Sequence, residues 1–189
     1  DTAQVTMTEP GDVWILGNHK IICANSLKLD TYSRLMEGRK AKMILTDPPY
    51  NVKIDKNVCG LGSVKHKEFS MASGEMSSSE FTEFLSKTMN LAKTHSQIGS
   101  LHYFFMDWRH IKEMMEAGLL TYDEFKHLCI WNKDNAGMGS LYRSKHELIF
   151  IFKNGTDSHQ NNVQLGSTGR YRTNIWDYPG VNMFWGRSR

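Results

Sequence analysis

The chain reads as an α/β protein: a sheet with helices on both faces. Three observations predict this. Short apolar runs rich in β-formers alternate with stretches whose apolar residues recur at helical spacing. The joints between them carry Gly, Pro, Asn and capping signals. The composition, 40% hydrophobic and 23% charged over 189 residues, supplies a sizeable core.

The elements follow in order. Val13–Leu16 and Lys20–Ala24 are β-rich runs around a Gly17-Asn18-His19 turn, a hairpin pattern. Leu27 to Gly38 places Leu27, Tyr32, Leu35 and Met36 on a helical face and ends in Gly. Lys42–Thr46 is an apolar strand halted by Asp47-Pro48-Pro49-Tyr50. Lys53 to Ser79 has no period and is long for a loop, as lids and disordered segments are. Ser77 and Glu80 form a capping-box pair opening a helix with the stripe Phe81, Phe84, Leu85, Thr88, Ala92. A strand over Leu101–Met106 precedes a helix from Trp108 to Ala117, ended by Gly118. Phe125–Trp131 and Glu147–Lys153 are strands joined by a Gly-rich basic loop, Lys133 to Lys145. Beyond Asn154 the chain is polar and aperiodic.

Several classes are excluded. The longest apolar run, Leu148–Phe152, is far short of the roughly 20 residues of a membrane span. No basic-then-apolar leader opens the chain, and it lacks an initiator Met, so it reads as a cut or processed piece. Cys23, Cys59 and Cys129 are odd in number; Cys23 and Cys129 sit in apolar runs and read as buried free thiols of a reducing cytoplasm. Neither His102 with His110 nor Cys59 with His66 has a zinc-ligand spacing, and no metal is expected. The net charge of +3 is uneven: from Ile130 onward eight basic residues face four acidic ones. A basic end suggests an anionic partner, nucleic acid first.

Asp47-Pro48-Pro49-Tyr50 carries the chemistry. Two prolines stop the strand ladder and stiffen the backbone. They donate no hydrogen bond, so nearby carbonyls stay able to accept. Asp47 is a second acceptor and Tyr50 a flat face. A rigid two-acceptor clamp beside a stacking platform suits an amino group on a planar ring. A plain Pro-Pro turn with a half-buried Tyr is the alternative.

Four segments together resemble the permuted (β-class) amino-methyltransferases of DNA, acting on adenine-N6 or cytosine-N4: Leu45–Val52, Met106–His110, Ile130–Lys133 and Tyr142–Ile149. The resemblance runs from about Gly11 to the last residue. It implies a Rossmann-like methyltransferase sheet, S-adenosylmethionine as methyl donor and double-stranded DNA as substrate, with the target base flipped out of the duplex. Asp47 and the Pro48 carbonyl would accept the two amine hydrogens, and Tyr50 would stack on the base. Asp47, rather than Ser, leans toward adenine.

The resemblance also places Asn25 and Asp47 near the cofactor. The family often has an acidic residue where Asn25 stands, and Asn25 equally suits a cap of the helix starting near Leu27. Trp131, His146 and Glu147 fall beside the base pocket; a core Trp and a charged pair at a strand start are the alternatives. Asp107 reads first as a helix cap. Lys133, Arg143, Lys145, Arg170 and Arg172 are candidate phosphate contacts. Residues 154–189 read as DNA-facing recognition loops, where Asn161, Asn162 and Gln164 could read adenine edges. Some family members pair, which leaves a homodimer open.

The family's Gly-rich cofactor loop is not found. Gly60-Leu61-Gly62 and Gly137-Met138-Gly139 follow no suitable strand. The chain therefore reads as the catalytic half without most of the cofactor half. A non-catalytic nucleic-acid-binding module is the competing reading; methylation of protein or RNA is a third.

Overall fold

The computed structural model describes residues 8–53, 70–137 and 141–180. Cys59, Gly60-Leu61-Gly62 and most of the long loop expected over Lys53–Ser79 lie outside the described residues. So do Met138, Gly139, Arg187 and Arg189.

Two sheets form. β1 (Val13–Leu16) and β2 (His19–Ile22) make an antiparallel ribbon. α1 (Leu29–Met36) follows and ends on Glu37 in the left-handed region, φ 48°. β3 (Ala41–Thr46), α2 (Ser78–Thr94), β4 (Ser96–Met106), a short 3₁₀ turn (Trp108–His110) and α3 (Ile111–Thr121) come next. β5 (Glu124–Asn132), β6 (His146–Lys153) and β7 (Ile175–Asp177) complete a five-stranded sheet of order β3-β4-β6-β5-β7.

The α/β class holds, with a mixed sheet. β3 runs parallel to β4, as a strand pair bridged by a helix must, and β5 runs parallel to β7. β6 is antiparallel to both its neighbours, because the chain leaves β5 and returns beside it in the opposite direction.

Both long helices lie on one face. Phe81, Phe84, Leu85 and Met89 of α2 and Met114 and Ala117 of α3 bury against Phe104, Met106, Leu148, Phe150 and Phe152 of the sheet. Each fully buried Phe or Leu contributes roughly 1.5–3 kcal/mol, so this layer dominates the fold's stability. On the opposite face Tyr103, Phe105, Trp131 and Trp176 pack around Cys129, Ile149 and Ile151. By register Met43 and Leu45 share this second face, where both are more than half exposed.

Some details match the sequence expectation and others differ. α2 starts with the capping box, Ser77 accepting from Glu80 and Glu80 from Ser77. Its stripe uses Met89, whereas Thr88 is only half-buried. α3 does not stop at Gly118 but runs on to Thr121. Gly118 is there for packing: a Cβ at this position would fall 2.0 Å from Cζ of Phe152. Cys129 is buried as expected, whereas Cys23 is exposed. The correction has a simple cause: Cys23 follows a two-stranded ribbon whose residues are largely exposed. β4 starts earlier than the apolar run, at Ser96, and turns through Gly99 at φ +85°.

Candidate active site

β3, β4, β5 and β7 all end at one edge of the sheet, and β6 begins there. The Asp47–Tyr50 turn leaves β3 at this edge, where open α/β sheets bind ligands. Its far end is fixed by Asn51, a buried residue at φ 52°. The Asn51 amide donates to the Met76 carbonyl (2.8 Å), and its oxygen accepts from the backbone of Gly74 (3.0 Å) and Met76 (3.2 Å). Asn tolerates the left-handed region better than most residues do. The segment before α2 is thereby stitched to the end of the turn. Glu75 tightens that segment by accepting from the backbone of Ala72 and Ser73.

The Tyr50 hydroxyl lies 2.6 Å from Oδ1 of Asp47 and 2.9 Å from Oε2 of Glu147. Glu147 stands opposite Trp131 in the β5–β6 register. The Lys133 ammonium donates to the other oxygen of Glu147 and sits 4.5 Å from the centre of the Trp131 ring. Trp131 is held in turn by its indole N–H on the Tyr178 carbonyl (2.9 Å) and by Phe105 edge-on. Five of the residues singled out in the sequence thus meet: Asp47, Tyr50, Trp131, Lys133 and Glu147.

The electrostatics follow from this crowding. Loss of water around the Asp47 carboxyl pushes its pKa above the ordinary value. The Tyr50 hydrogen bond opposes this, the Glu147 charge adds to it, and Lys133 opposes it weakly. Burial pushes the Tyr50 phenol up strongly, and Asp47 and Glu147 push it further, so it remains a donor at any ordinary pH.

The other site residues stand apart from this cluster. His146 pairs with Asn132 and, next to Glu147 along β6, points to the opposite face. The Asn25 side-chain oxygen accepts from the Leu27 backbone at 2.8 Å, and its carbonyl from the Thr31 hydroxyl. It shapes the turn ahead of α1, whose cap position is Lys28. Arg143 donates to the carbonyls of Gly137 (3.2 Å) and Ala136 (2.5 Å), closing the β5–β6 loop. Arg143, Lys145, Arg170 and Arg172 are exposed. Asn161 and Gln164 shape their own loop: Asn161 accepts from Val163 N, and Gln164 from the Thr168 hydroxyl. Asp107 caps the 3₁₀ turn through Arg109 N (2.8 Å) and pairs with the Arg109 guanidinium (2.6 Å).

The family model described as "DNA methylase" (N6_N4_Mtase) matches residues 41–183. No curated protein matches the chain. Solved structures do. A Thermus thermophilus protein described as a DNA modification methylase is 12% identical, TM-score 0.50, over 80% of this chain and 66% of its own. The PvuII DNA methyltransferase, cytosine-N4-specific, is 10% identical, TM-score 0.50, over 77% and 54%. The M1.HpyAVI–SAM complex is 15% identical, TM-score 0.49, over 82% and 61%. The chain thus spans between about half and two thirds of the length of these structures.

Proposed function

The chain belongs to the N6/N4 DNA methylase family, and from that premise we propose that it is the base-binding part of an enzyme that methylates the exocyclic amine of a flipped DNA base, adenine-N6 first. The observation carrying this reading is Asp47 at the rigid end of β3, its carboxylate accepting from the Tyr50 hydroxyl, which also reaches Glu147.

An exocyclic amine inside a duplex is stacked and paired, so the base must leave the helix. In the site, Asp47 and the Pro48 carbonyl take its two hydrogens and turn the nitrogen lone pair outward. Fixing that orientation supplies a large share of the rate. Tyr50 stacks on the ring, worth on the order of 1–3 kcal/mol. Trp131 and Glu147 wall the pocket. Arg143, Lys145, Arg170 and Arg172 face the phosphates, which position the duplex without reading it. The DNA-facing recognition segment is residues 154–189, within which β7 (Ile175–Asp177) joins the sheet.

When bound, S-adenosylmethionine supplies an electrophilic methyl group. The described residues fit it in part: Asp47 is an acceptor at the strand end, whereas the Asn25 side-chain oxygen already accepts from the Leu27 backbone.

The test is methyl transfer by the intact protein from labelled S-adenosylmethionine, offered duplex DNA, single-stranded DNA, RNA and protein. Label should enter duplex DNA and be abolished by Asp47→Ala. Unchanged labelling by that variant would remove Asp47 from the chemistry, and label in RNA or protein would replace the substrate.

A further inference from the structure

The Tyr50 phenol has one proton and two carboxylates to give it to, 2.6 Å and 2.9 Å away. In this arrangement it draws on the Asp47 carboxylate, the acceptor that the arriving amine would also use. Glu147 differs from Asp47 in being anchored. Lys133 holds its other oxygen, Trp131 lies under Lys133, and the Trp131–Glu147 pair is set by the strand register. At 18% side-chain exposure Glu147 has little water to turn to, and Lys133 at 28% little more. One carboxylate is therefore held by a cation, and the other, on the stiff Asp47–Tyr50 turn, carries the phenol alone among the side-chain bonds described.

We propose that Glu147, anchored by Lys133, is a positioning residue that takes the Tyr50 phenol off Asp47 as the amine enters, freeing the Asp47 carboxylate for the substrate. This rests on the amine-methylating reading of the site. The transfer breaks one hydrogen bond of the phenol and strengthens the other; no proton changes owner. The Tyr50 ring keeps its stacking position, because its hydroxyl remains tethered to Glu147 at the start of β6. Glu147 thus acts on the reaction through Tyr50 and need not touch the base.

The decisive experiment is a double-mutant cycle on the full-length protein with S-adenosylmethionine and duplex DNA. Glu147→Ala leaves the phenol on Asp47, and kcat falls about tenfold or more while KM for DNA hardly moves. Tyr50→Phe has no phenol to hand over, so adding Glu147→Ala to it changes kcat less than about twofold. Glu147→Gln keeps one accepting oxygen but loses the Lys133 ion pair, and gives a rate between those of the wild type and Glu147→Ala. If Glu147→Ala does not fold, Lys133→Met, which releases the anchor, replaces it in the cycle with the same expectation. Equal losses in both backgrounds overturn the proposal and leave the methylase reading intact.

If the wild-type protein methylates no substrate, the methylase reading fails, and the bridge is judged without catalysis. Carboxyl-carbon NMR titration of Asp47 reads it. Glu147→Gln removes a like charge, weakens the competitor for the phenol proton and releases Lys133. All three lower the Asp47 midpoint. An unmoved midpoint overturns the bridge itself.

Discussion

Tyr50 and Glu147 are 97 residues apart in the chain and 2.9 Å apart in the fold. The contact joins the end of β3 to the start of β6, across the C-terminal end of β4. Strand order produces it. β6 returns antiparallel between β4 and β5, so its first residues arrive where the other strands finish.

The first prediction concerns pH and activity. In the proposed reaction Asp47 accepts an amine hydrogen best as a carboxylate, and its pKa is raised by burial and by Glu147. The acidic limb of kcat/KM should therefore lie above the roughly 3.9 of a free Asp. The same shift has a stability sign. A raised carboxyl pKa means the folded state binds the proton more tightly, so this contribution is present at low pH and is lost as pH rises through the raised value. A pH–rate profile of the intact protein checks the limb.

The second prediction concerns His102. It is fully buried, with Nδ1 2.7 Å from the Tyr122 hydroxyl and Nε2 near the hydroxyls of Ser96 (2.9 Å) and Ser100 (3.0 Å). Burial, helped by the charge of Lys93, lowers its pKa from 6.5 to about 4. The folded state thus disfavours the charged ring. Its contribution is complete above pH 6.5 and is lost as pH falls toward 4, up to about 3 kcal/mol in all. Urea unfolding at pH 7 and pH 4.5 should show this loss in the wild type. It should be reduced by that amount in His102→Gln, which does not titrate.

The third prediction concerns Gly118. Helix propensity favours Ala there by about 1 kcal/mol. The added methyl group would meet the Phe152 ring at 2.0–2.7 Å, inside the main core layer. Overpacking wins, and Gly118→Ala should lose about 1–3 kcal/mol by urea unfolding at pH 7. A neutral or stabilising result would mean that Phe152 moves aside cheaply.

The fourth prediction separates backbone from side chain at Asn51. Asn51→Ala loses three hydrogen bonds and strains φ 52°; Asn51→Gly loses only the bonds. Both should lower kcat by loosening the Asp47–Tyr50 turn. Ala should be the less stable by about 1 kcal/mol in thermal melts, because only Gly relieves the backbone.

Much of this was legible before the fold. Periodicity and the Ser77–Glu80 box located α2, and the double proline located the turn at the end of β3. Asp47, Tyr50, Trp131, Lys133 and Glu147 were each singled out. Their meeting was not, because strand order and register decide it and neither is written in local pattern. β7 escaped notice because three residues, Ile175–Asp177, carry no period; pairing with β5 makes them a strand. Gly118 looked like a helix stop because its reason, the Phe152 ring, comes from a strand 34 residues later. Asn51 had only its position after Tyr50 to mark it, while its partners lie in the segment before α2.

The most direct measurement is the identity of the modified nucleoside in duplex DNA treated with the full-length protein and S-adenosylmethionine. DNA is digested to nucleosides and resolved by mass spectrometry, with Asp47→Ala alongside. The wild type should yield N6-methyladenine and the variant none. N4-methylcytosine would contradict the choice of base, and N6-methyladenine at equal yield from Asp47→Ala would contradict the clamp.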